Sequence, residues 1–206
     1  MTSPVIVALD LEHTLAIDLA RRLDPVNCRL KVGSQLFTSA GPKVIEELSM
    51  LGFDIFLDLK FHDIPNTVAQ SVKAAANLGI WMLNVHASGG SIMMNAAKEA
   101  TSELLDPPLI IGVTMLTSLS EEDVNEIGIQ DISNQALSLA SLAKKNSLDG
   151  VVCSVNEVRR IKELLGKDFI TVTPGIRSSD SLKDDQSRVS TARNAIENGS
   201  DYIVIG

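Results

Sequence analysis

Residues 58–67 read Asp-Leu-Lys-Phe-His-Asp-Ile-Pro-Asn-Thr, between an apolar run at 53–57 and a helical pattern at Val68–Leu78. This order predicts that the stretch begins at the carboxyl end of a strand. Side chains alternate along a strand with period two, so Asp58 and Lys60 point to the same side. The chain therefore presents a carboxylate and an ammonium together where a strand ends.

The same stretch carries a third charge, Asp63, in a short loop before Pro65, a residue suited to the first turn of a helix. Three charges so close to an apolar strand are costly unless they pair or take part in chemistry. Taken alone, the stretch fits two interpretations. It is either a surface turn whose acids cap a helix and whose lysine is solvated, or a functional site.

Composition indicates one domain, residues 1–206, with a core that is mainly aliphatic: 45% of the residues are hydrophobic and 3% aromatic. The net charge of −8 argues against nucleic acid or an anionic membrane as a partner, although a local basic pocket for phosphate remains possible.

The sequence has no long apolar run and no basic segment ahead of an apolar one at its start. Cys28 and Cys153 lie far apart in apolar runs. We therefore expect a soluble, cytoplasmic protein with buried thiols.

Short β-rich runs alternate with amphipathic helical segments along the whole chain. The predicted strands are Pro4–Leu9, Cys28–Val32, Asp54–Leu59, Trp81–His86, Leu109–Thr114, Gly150–Cys153, Phe169–Thr173 and Tyr202–Ile205. The predicted helices are Thr14–Leu23, Lys43–Leu51, Val68–Leu78, Ile92–Leu105, Asn134–Lys145, Asn156–Leu165 and Val189–Asn198. This alternation predicts an α/β protein, a compact (β/α)8 TIM barrel. An open doubly wound sheet is the alternative, but no Gly-x-Gly-x-x-Gly follows the first strand.

Polar residues stand at the carboxyl ends of several predicted strands, where a barrel of this kind has its active site. They include Asp10, Lys31, Asp58, Lys60, His86, Thr117 and Arg177. For Asp10 or Lys31 alone, a structural salt bridge is the default interpretation. Lys31, Asp58, Lys60 and Asp63 together form an alternating array in which each charge is neutralised by its neighbours. Such an array can still aim one carboxylate and one ammonium at a ligand.

The decapeptide at 58–67 resembles the signature of orotidine 5'-phosphate decarboxylases of the bacterial type, Asp-x-Lys-x-x-Asp followed by Ile-Pro-Asn-Thr. The resemblance extends over essentially the whole chain. It implies decarboxylation of orotidine 5'-phosphate to UMP and carbon dioxide, the last step of UMP biosynthesis, without a metal or organic cofactor. It also implies that Lys31, Asp58, Lys60 and Asp63 form the catalytic centre, and that Asp63 and Thr67 act in the partner's site of a homodimer. Ile64 is a further substrate-binding residue that the resemblance implies.

Further binding roles are implied for the substrate by the same resemblance. Asp10 and Lys31 would bind ribose hydroxyls, Thr117 the pyrimidine end, and Gln186 with Arg177 the phosphate. Pro174 and Gly206 complete the predicted binding residues. In the mechanism, Asp58 would lie beside the substrate carboxylate, and Lys60 would stabilise the developing carbanion and deliver the proton.

The residues themselves also favour a phosphate site at Gly175-Ile176-Arg177, because barrels often bind phosphate with the loops after strands seven and eight. Arginine offers a two-pronged donor for an oxyanion. An exposed loop cation is the alternative interpretation of Arg177. Ser88–Ser91 is a weaker candidate, since Gly and Ser before a helix are more often a turn and cap. The polar segment Ser178–Ser187 is predicted to be a mobile lid.

Two other functions remain open. A metal-dependent sugar-phosphate decarboxylase or aldolase shares Asp-x-Lys-x-x-Asp, and a non-catalytic nucleotide-phosphate sensor could keep the pocket without turnover. His13, His62 and His86 lack metal-site spacing, so we interpret His62 and His86 as structural. The resemblance further predicts an Arg and a final helix beyond Gly206, and we therefore expect the sequence to be incomplete.

Overall fold

The structure, a computed structural model, describes residues 3–177 and 190–206. Over these ranges, eight parallel strands form a closed barrel in which β1 pairs with β8. The strands are β1 Val5–Ala8, β2 Arg29–Gly33, β3 Ile55–Phe61, β4 Met82–His86, β5 Leu109–Val113, β6 Gly150–Val152, β7 Ile170–Thr173 and β8 Tyr202–Ile205. The predicted (β/α)8 barrel is confirmed. The doubly wound alternative is wrong, because the pairing of the first and last strands closes the sheet.

Helices surround this barrel. They are α1 His13–Ala20, α2 Ser34–Ala40, α3 Lys43–Met50, α4 Pro65–Ala76, α5 Gly90–Glu99, α6 Glu121–Glu126, α7 Ile132–Lys145, α8 Val155–Leu165 and α9 Ala192–Glu197. Helix α4 begins at Pro65, three residues before the predicted start at Val68, and Pro65 lies in its first turn as expected. The prediction of Ile92–Leu105 was wrong at its carboxyl end, because α5 ends at Glu99. None of the helices in the described ranges is long and apolar enough to cross a membrane.

Two helices, α2 and α6, were not predicted. Helix α2 follows β2 directly, with Gly33 as its N-cap, and of its residues only Leu36 is buried. Helix α6 is short and begins with a capping box between Ser120 and Asp123. Neither segment has enough periodic apolar residues to produce a helical pattern, so tertiary context and local caps specify them.

The barrel interior is filled by inward-facing side chains from every other position of the strands. These are Ile6, Phe56, Met82, Ile111, Val113, Val152, Val172 and Val204. On β3 the next inward positions after Phe56 are Asp58 and Lys60, which carries the strand from an apolar interior to a charged mouth. The fold thus concentrates charge at the carboxyl end of the barrel.

The amino end of the barrel is closed by Arg29 of β2. Its guanidinium carbon lies 4.3 Å from the ring centroid of Trp81 and 5.3 Å from that of Tyr202. Its Nε lies 3.2 Å from Asp54 Oδ2. Stacking on aromatic rings and an ion pair stabilise this buried cation, so we interpret Arg29 as a structural residue. The candidate active site lies at the opposite end of the barrel.

We predict that Gly150→Ala destabilises the fold, because a Cβ at this position of β6 would lie 2.2 Å from the Ile170 carbonyl oxygen. Backbone atoms of β7 would have to move, and overpacking of this kind costs about 1–3 kcal/mol. Gly112→Ala in β5 is the matched control, since its nearest neighbour is the Ala143 Cβ at 3.2 Å. Urea unfolding should give a clearly larger loss for Gly150→Ala. Equal losses for the two variants would contradict the clash.

Candidate active site

Asp58 lies between two lysines at the carboxyl mouth of the barrel. Its Oδ1 is 2.6 Å from Lys60 Nζ, and its Oδ2 is 3.4 Å from Lys31 Nζ. Lys31 Nζ also donates to Asp10 Oδ1 at 3.0 Å. The structure therefore brings four predicted residues into one alternating chain of charges, from Asp10 through Lys31 and Asp58 to Lys60.

Burial differs along this chain. Lys31 and Asp58 are 8% exposed, whereas the side chains of Asp10 and Lys60 are 63% and 34% exposed. The inner two charges are tolerated because each has opposite charges beside it. Gly33 contributes space, since a Cβ there would lie 3.2 Å from Lys31 Nζ and 3.3 Å from Asp10 Oδ1. The outer ammonium of Lys60 is the one that remains accessible to a ligand.

One buried amide beneath this cluster, that of Asn84, was not among the predicted site residues. Asn84 lies on β4 and is fully buried. Its Nδ2 donates to Asp58 Oδ1 at 2.7 Å, and its Oδ1 accepts the backbone N–H of Lys60 at 2.8 Å. The available signal was its position two residues after Met82, which faces the barrel interior. A polar residue in that phase of a buried strand requires partners.

A cavity of about 280 Å³ opens above the cluster. Besides the four charged residues, the predicted residues that line it are Thr117, Pro174, Arg177 and Gly206. Gly175 and Ile176 of the predicted phosphate site also line it. The remaining lining is largely apolar and was not predicted; it includes Phe56, Met115, Leu116 and Ile205. An apolar wall with charges at one end suits a flat ring that carries an anionic group.

The loop after β7 forms the other end of the cavity. Arg177 is exposed there, and its backbone N–H donates to the Ser190 carbonyl oxygen at 2.9 Å. The Ser190 N–H in turn donates to the Gly175 carbonyl oxygen at 3.1 Å. Gly175 has φ of 75°, a conformation that favours glycine. The predicted Gln186 and the predicted lid Ser178–Ser187 lie outside the described residues.

Comparison with known proteins identifies the family. Residues 3–206 match the model of the "Orotidine 5'-phosphate decarboxylase / HUMPS family". The chain belongs to this family. Among decarboxylases of this name, the protein of Saccharophagus degradans is 53% identical over 98% of this chain and 86% of its own length. That of Chromobacterium violaceum is 55% identical over 100% of this chain and 84% of its own length.

A solved structure of the family also matches. The crystal structure of orotidine 5'-phosphate decarboxylase from Lactobacillus acidophilus superposes with a TM-score of 0.85 and 44% identity, covering 99% of this chain and 90% of its own. The structural match therefore spans nearly the whole chain.

Three predicted residues do not line the cavity of their own chain: Asp63 and Thr67, which the resemblance assigned to a partner's site, and Ile64, which it assigned to substrate binding. Asp63, Ile64 and Thr67 are all exposed, and Ile64 is 66% exposed. The Asp63 carboxylate accepts the backbone N–H of Ile64 at 2.7 Å. Within the described residues, Asp63 forms no ion pair with Lys31 or Lys60. The role of Asp63 and Thr67 in a second subunit stays a prediction, as does substrate binding by Ile64.

The family stretch also places His62 beside His86, with ring centroids 5.2 Å apart. Burial lowers the pKa of His86, and the neighbouring His62 and Lys60 lower it further, whereas Asp58 raises it. In the described residues, no group of three His, Cys, Asp or Glu side chains is arranged to hold a metal ion.

We predict that His86 makes the fold sensitive to acid. Its folded pKa lies below the ordinary value of 6.5, so the unfolded chain takes up the proton first as the pH falls through 6.5. The stability that depends on neutral His86 is fully present above pH 6.5 and is lost below it. His86→Asn should therefore show a smaller drop in Tm than wild type between pH 7.5 and pH 5.0. An equal or larger drop in the variant would contradict this assignment.

Proposed function

We propose that this chain decarboxylates orotidine 5'-phosphate to UMP and carbon dioxide, and that Lys60 is the proton donor. Family membership and identities of 53–55% to named orotidine 5'-phosphate decarboxylases support the activity. The family description covers two groups, and these relatives favour the nucleotide enzyme over the sugar-phosphate alternative. The observation that carries the role of Lys60 is its ammonium, 2.6 Å from Asp58 at the mouth of the cavity.

The chemistry we propose is electrostatic and uses no metal or organic cofactor. The bond between the pyrimidine ring and the carboxylate breaks, and its electron pair stays on the ring carbon as carbon dioxide leaves. Lys60 stabilises this charge and transfers a proton to the carbon, after which its neutral amine regains a proton from water. Asp58 faces the substrate carboxylate, a repulsion that disappears when carbon dioxide departs. Lys31 keeps the buried Asp58 paired throughout.

Binding of the rest of the nucleotide orients the ring over this pair. Asp10 and Lys31 bind ribose hydroxyls, and Thr117 contacts the pyrimidine. Arg177 and Gln186 bind the phosphate, while Pro174 and Gly206 complete the walls at that end. Contacts to the phosphate are remote from the reacting carbon, so their binding energy can position the ring and close the site.

We further propose a homodimer in which Asp63 and Thr67 enter the partner's cavity. Their exposure, and their position directly after β3 and at the start of α4, support this arrangement. Asp63 would then complete the alternating array as its fourth member. We also propose a cytoplasmic location, which the two buried cysteines, forming no disulfide with each other, support.

Replacement of Lys60 tests the chemical step. Lys60→Ala should lower kcat at least about 10³-fold, because it removes both the proton donor and the cation that stabilises the ring carbanion. Lys43→Ala is the matched control: this lysine lies on α3, with its side chain 74% exposed, and should keep wild-type turnover. The absorbance change as orotidine 5'-phosphate becomes UMP measures both.

Three outcomes of turnover measurements would redirect the proposal. Equal activity of Lys60→Ala and wild type would remove Lys60 as the proton donor. Loss of wild-type turnover after incubation with a chelator, restored by a divalent metal, would favour the metal-dependent alternative. Absence of turnover in the wild type would favour a nucleotide sensor.

Mixing two inactive variants tests the shared site. Asp63→Ala alone should have little activity, because every site of its dimer lacks the Asp63 carboxylate. When Asp63→Ala and Lys60→Ala subunits are unfolded and refolded together, half of the dimers are mixed, and each mixed dimer has one intact site. About a quarter of wild-type activity should therefore return. If Asp63 acts in its own subunit, both sites of a mixed dimer are defective, and no activity returns.

A further inference from the structure

The buried amide of Asn84 connects the two central side chains of the site to the neighbouring strand. Its exposure is 0%, and both of its hydrogen-bonding groups are directed at β3. The Nδ2 donates to Asp58 Oδ1, and the Oδ1 accepts from the backbone of Lys60. Asn84 is not among the residues that line the cavity. It therefore contacts the reacting groups of the protein without facing the substrate.

The backbone of Lys60 needs such a partner. Lys60 has φ of 53°, a left-handed conformation that is unfavourable for a residue with a Cβ. The β3–β4 register shifts at the same place: Leu57 pairs with Leu83, but the next pair is Phe61 with Val85. Four steps along β3 thus match two along β4, and the regular ladder is interrupted around Lys60.

The Asn84 side chain supplies a hydrogen-bond acceptor where the ladder is interrupted. It accepts the Lys60 N–H at 2.8 Å, a bond that a continuous ladder would give to backbone. Irregularities of this kind turn a side chain in a new direction. Here the turned side chain is that of Lys60, whose ammonium lies 2.6 Å from Asp58.

The same amide also fixes the rotation of the Asp58 carboxylate. Asp58 Oδ1 accepts from both Lys60 Nζ and Asn84 Nδ2, and Oδ2 is left facing Lys31 at 3.4 Å. Two hydrogen bonds at Oδ1 and an ion pair at Oδ2 together hold the carboxylate in one orientation. Loss of the amide donor leaves Asp58 free to rotate between its two lysines.

We propose that Asn84 is a positioning residue of the decarboxylase site, which sets the Lys60 backbone and the Asp58 carboxylate with one amide. This inference rests on the proposed roles of Lys60 and Asp58. Asn84 itself does not line the cavity, and the residues proposed to bind the phosphate lie at the other end, so the effect should fall mainly on kcat and leave KM within a few-fold of wild type.

Two substitutions test the two bonds. Asn84→Ala removes both hydrogen bonds and should lower kcat about 10²–10³-fold. Misplacing catalytic groups by about 1 Å can have an effect of this size. Asn84→Asp keeps the shape and the acceptor for the Lys60 N–H, but it puts a second carboxylate against Asp58. The pair then binds a shared proton only at low pH, where an O–H can replace the lost N–H donor. The kcat of Asn84→Asp relative to wild type should therefore fall as the pH rises.

Thr171→Val on β7 is the control for loss of a buried hydrogen bond. Thr171 is 0% exposed, and its hydroxyl is 3.0 Å from Asp201 Oδ2, outside the cavity. This variant should lose thermal stability but keep the kcat and pH profile of wild type. If Asn84→Ala does not fold, the isosteric Asn84→Asp still provides the pH profile.

The inference is overturned if the Asn84 variants lose stability like Thr171→Val while kcat stays at the wild-type level, or if the pH profile of Asn84→Asp matches wild type. In that case, a large loss of kcat in Lys60→Ala would leave the proposed function standing. Wild-type activity in both Asn84→Ala and Lys60→Ala would instead show that the proposed role of Lys60 has failed.

Discussion

The site depends on one buried carboxylate, that of Asp58, held between the ammonium groups of Lys31 and Lys60. Desolvation of such charges is costly, and apolar residues of similar volume often make a more stable core. The barrel around them already has a well-filled apolar interior. The cluster therefore has little value for stability alone, whereas the decarboxylation we propose uses a fixed carboxylate and a fixed ammonium.

The backbone that carries this pair is itself unusual. Lys60 adopts a positive φ where the β3–β4 ladder is interrupted, and the Asn84 amide takes over the missing hydrogen bond. Unfavourable backbone conformations persist where surrounding contacts enforce them, and they concentrate at functional sites. A regular strand would avoid the cost of the positive φ. In a regular ladder, however, the Lys60 N–H would bind backbone, and the Asn84 amide would not join the Lys60 backbone to the Asp58 carboxylate.

Two basic residues of β2 show how far sequence reasoning extends. Arg29 and Lys31 lie two residues apart, and both side chains are nearly buried in the barrel. Lys31 was predicted as a site residue from its place in the alternating array of charges, and the family resemblance also assigned it to the catalytic centre. Arg29 was not, and it stacks between Trp81 and Tyr202 at the opposite end. Their difference arises from position along the barrel axis, which depends on the register of neighbouring strands.

The sequence by itself determined the strand–helix alternation, the eight strands and the shared direction of Asp58 and Lys60, because strand and helix periodicities are local properties of the chain. Only the tertiary structure decided that Asn84 joins them, since its two bonds span 24 and 26 residues and depend on an interrupted ladder. It also decided that Asp63, Ile64 and Thr67 are exposed outside their own cavity. Contacts between distant strands follow from register and closure, which no local pattern encodes.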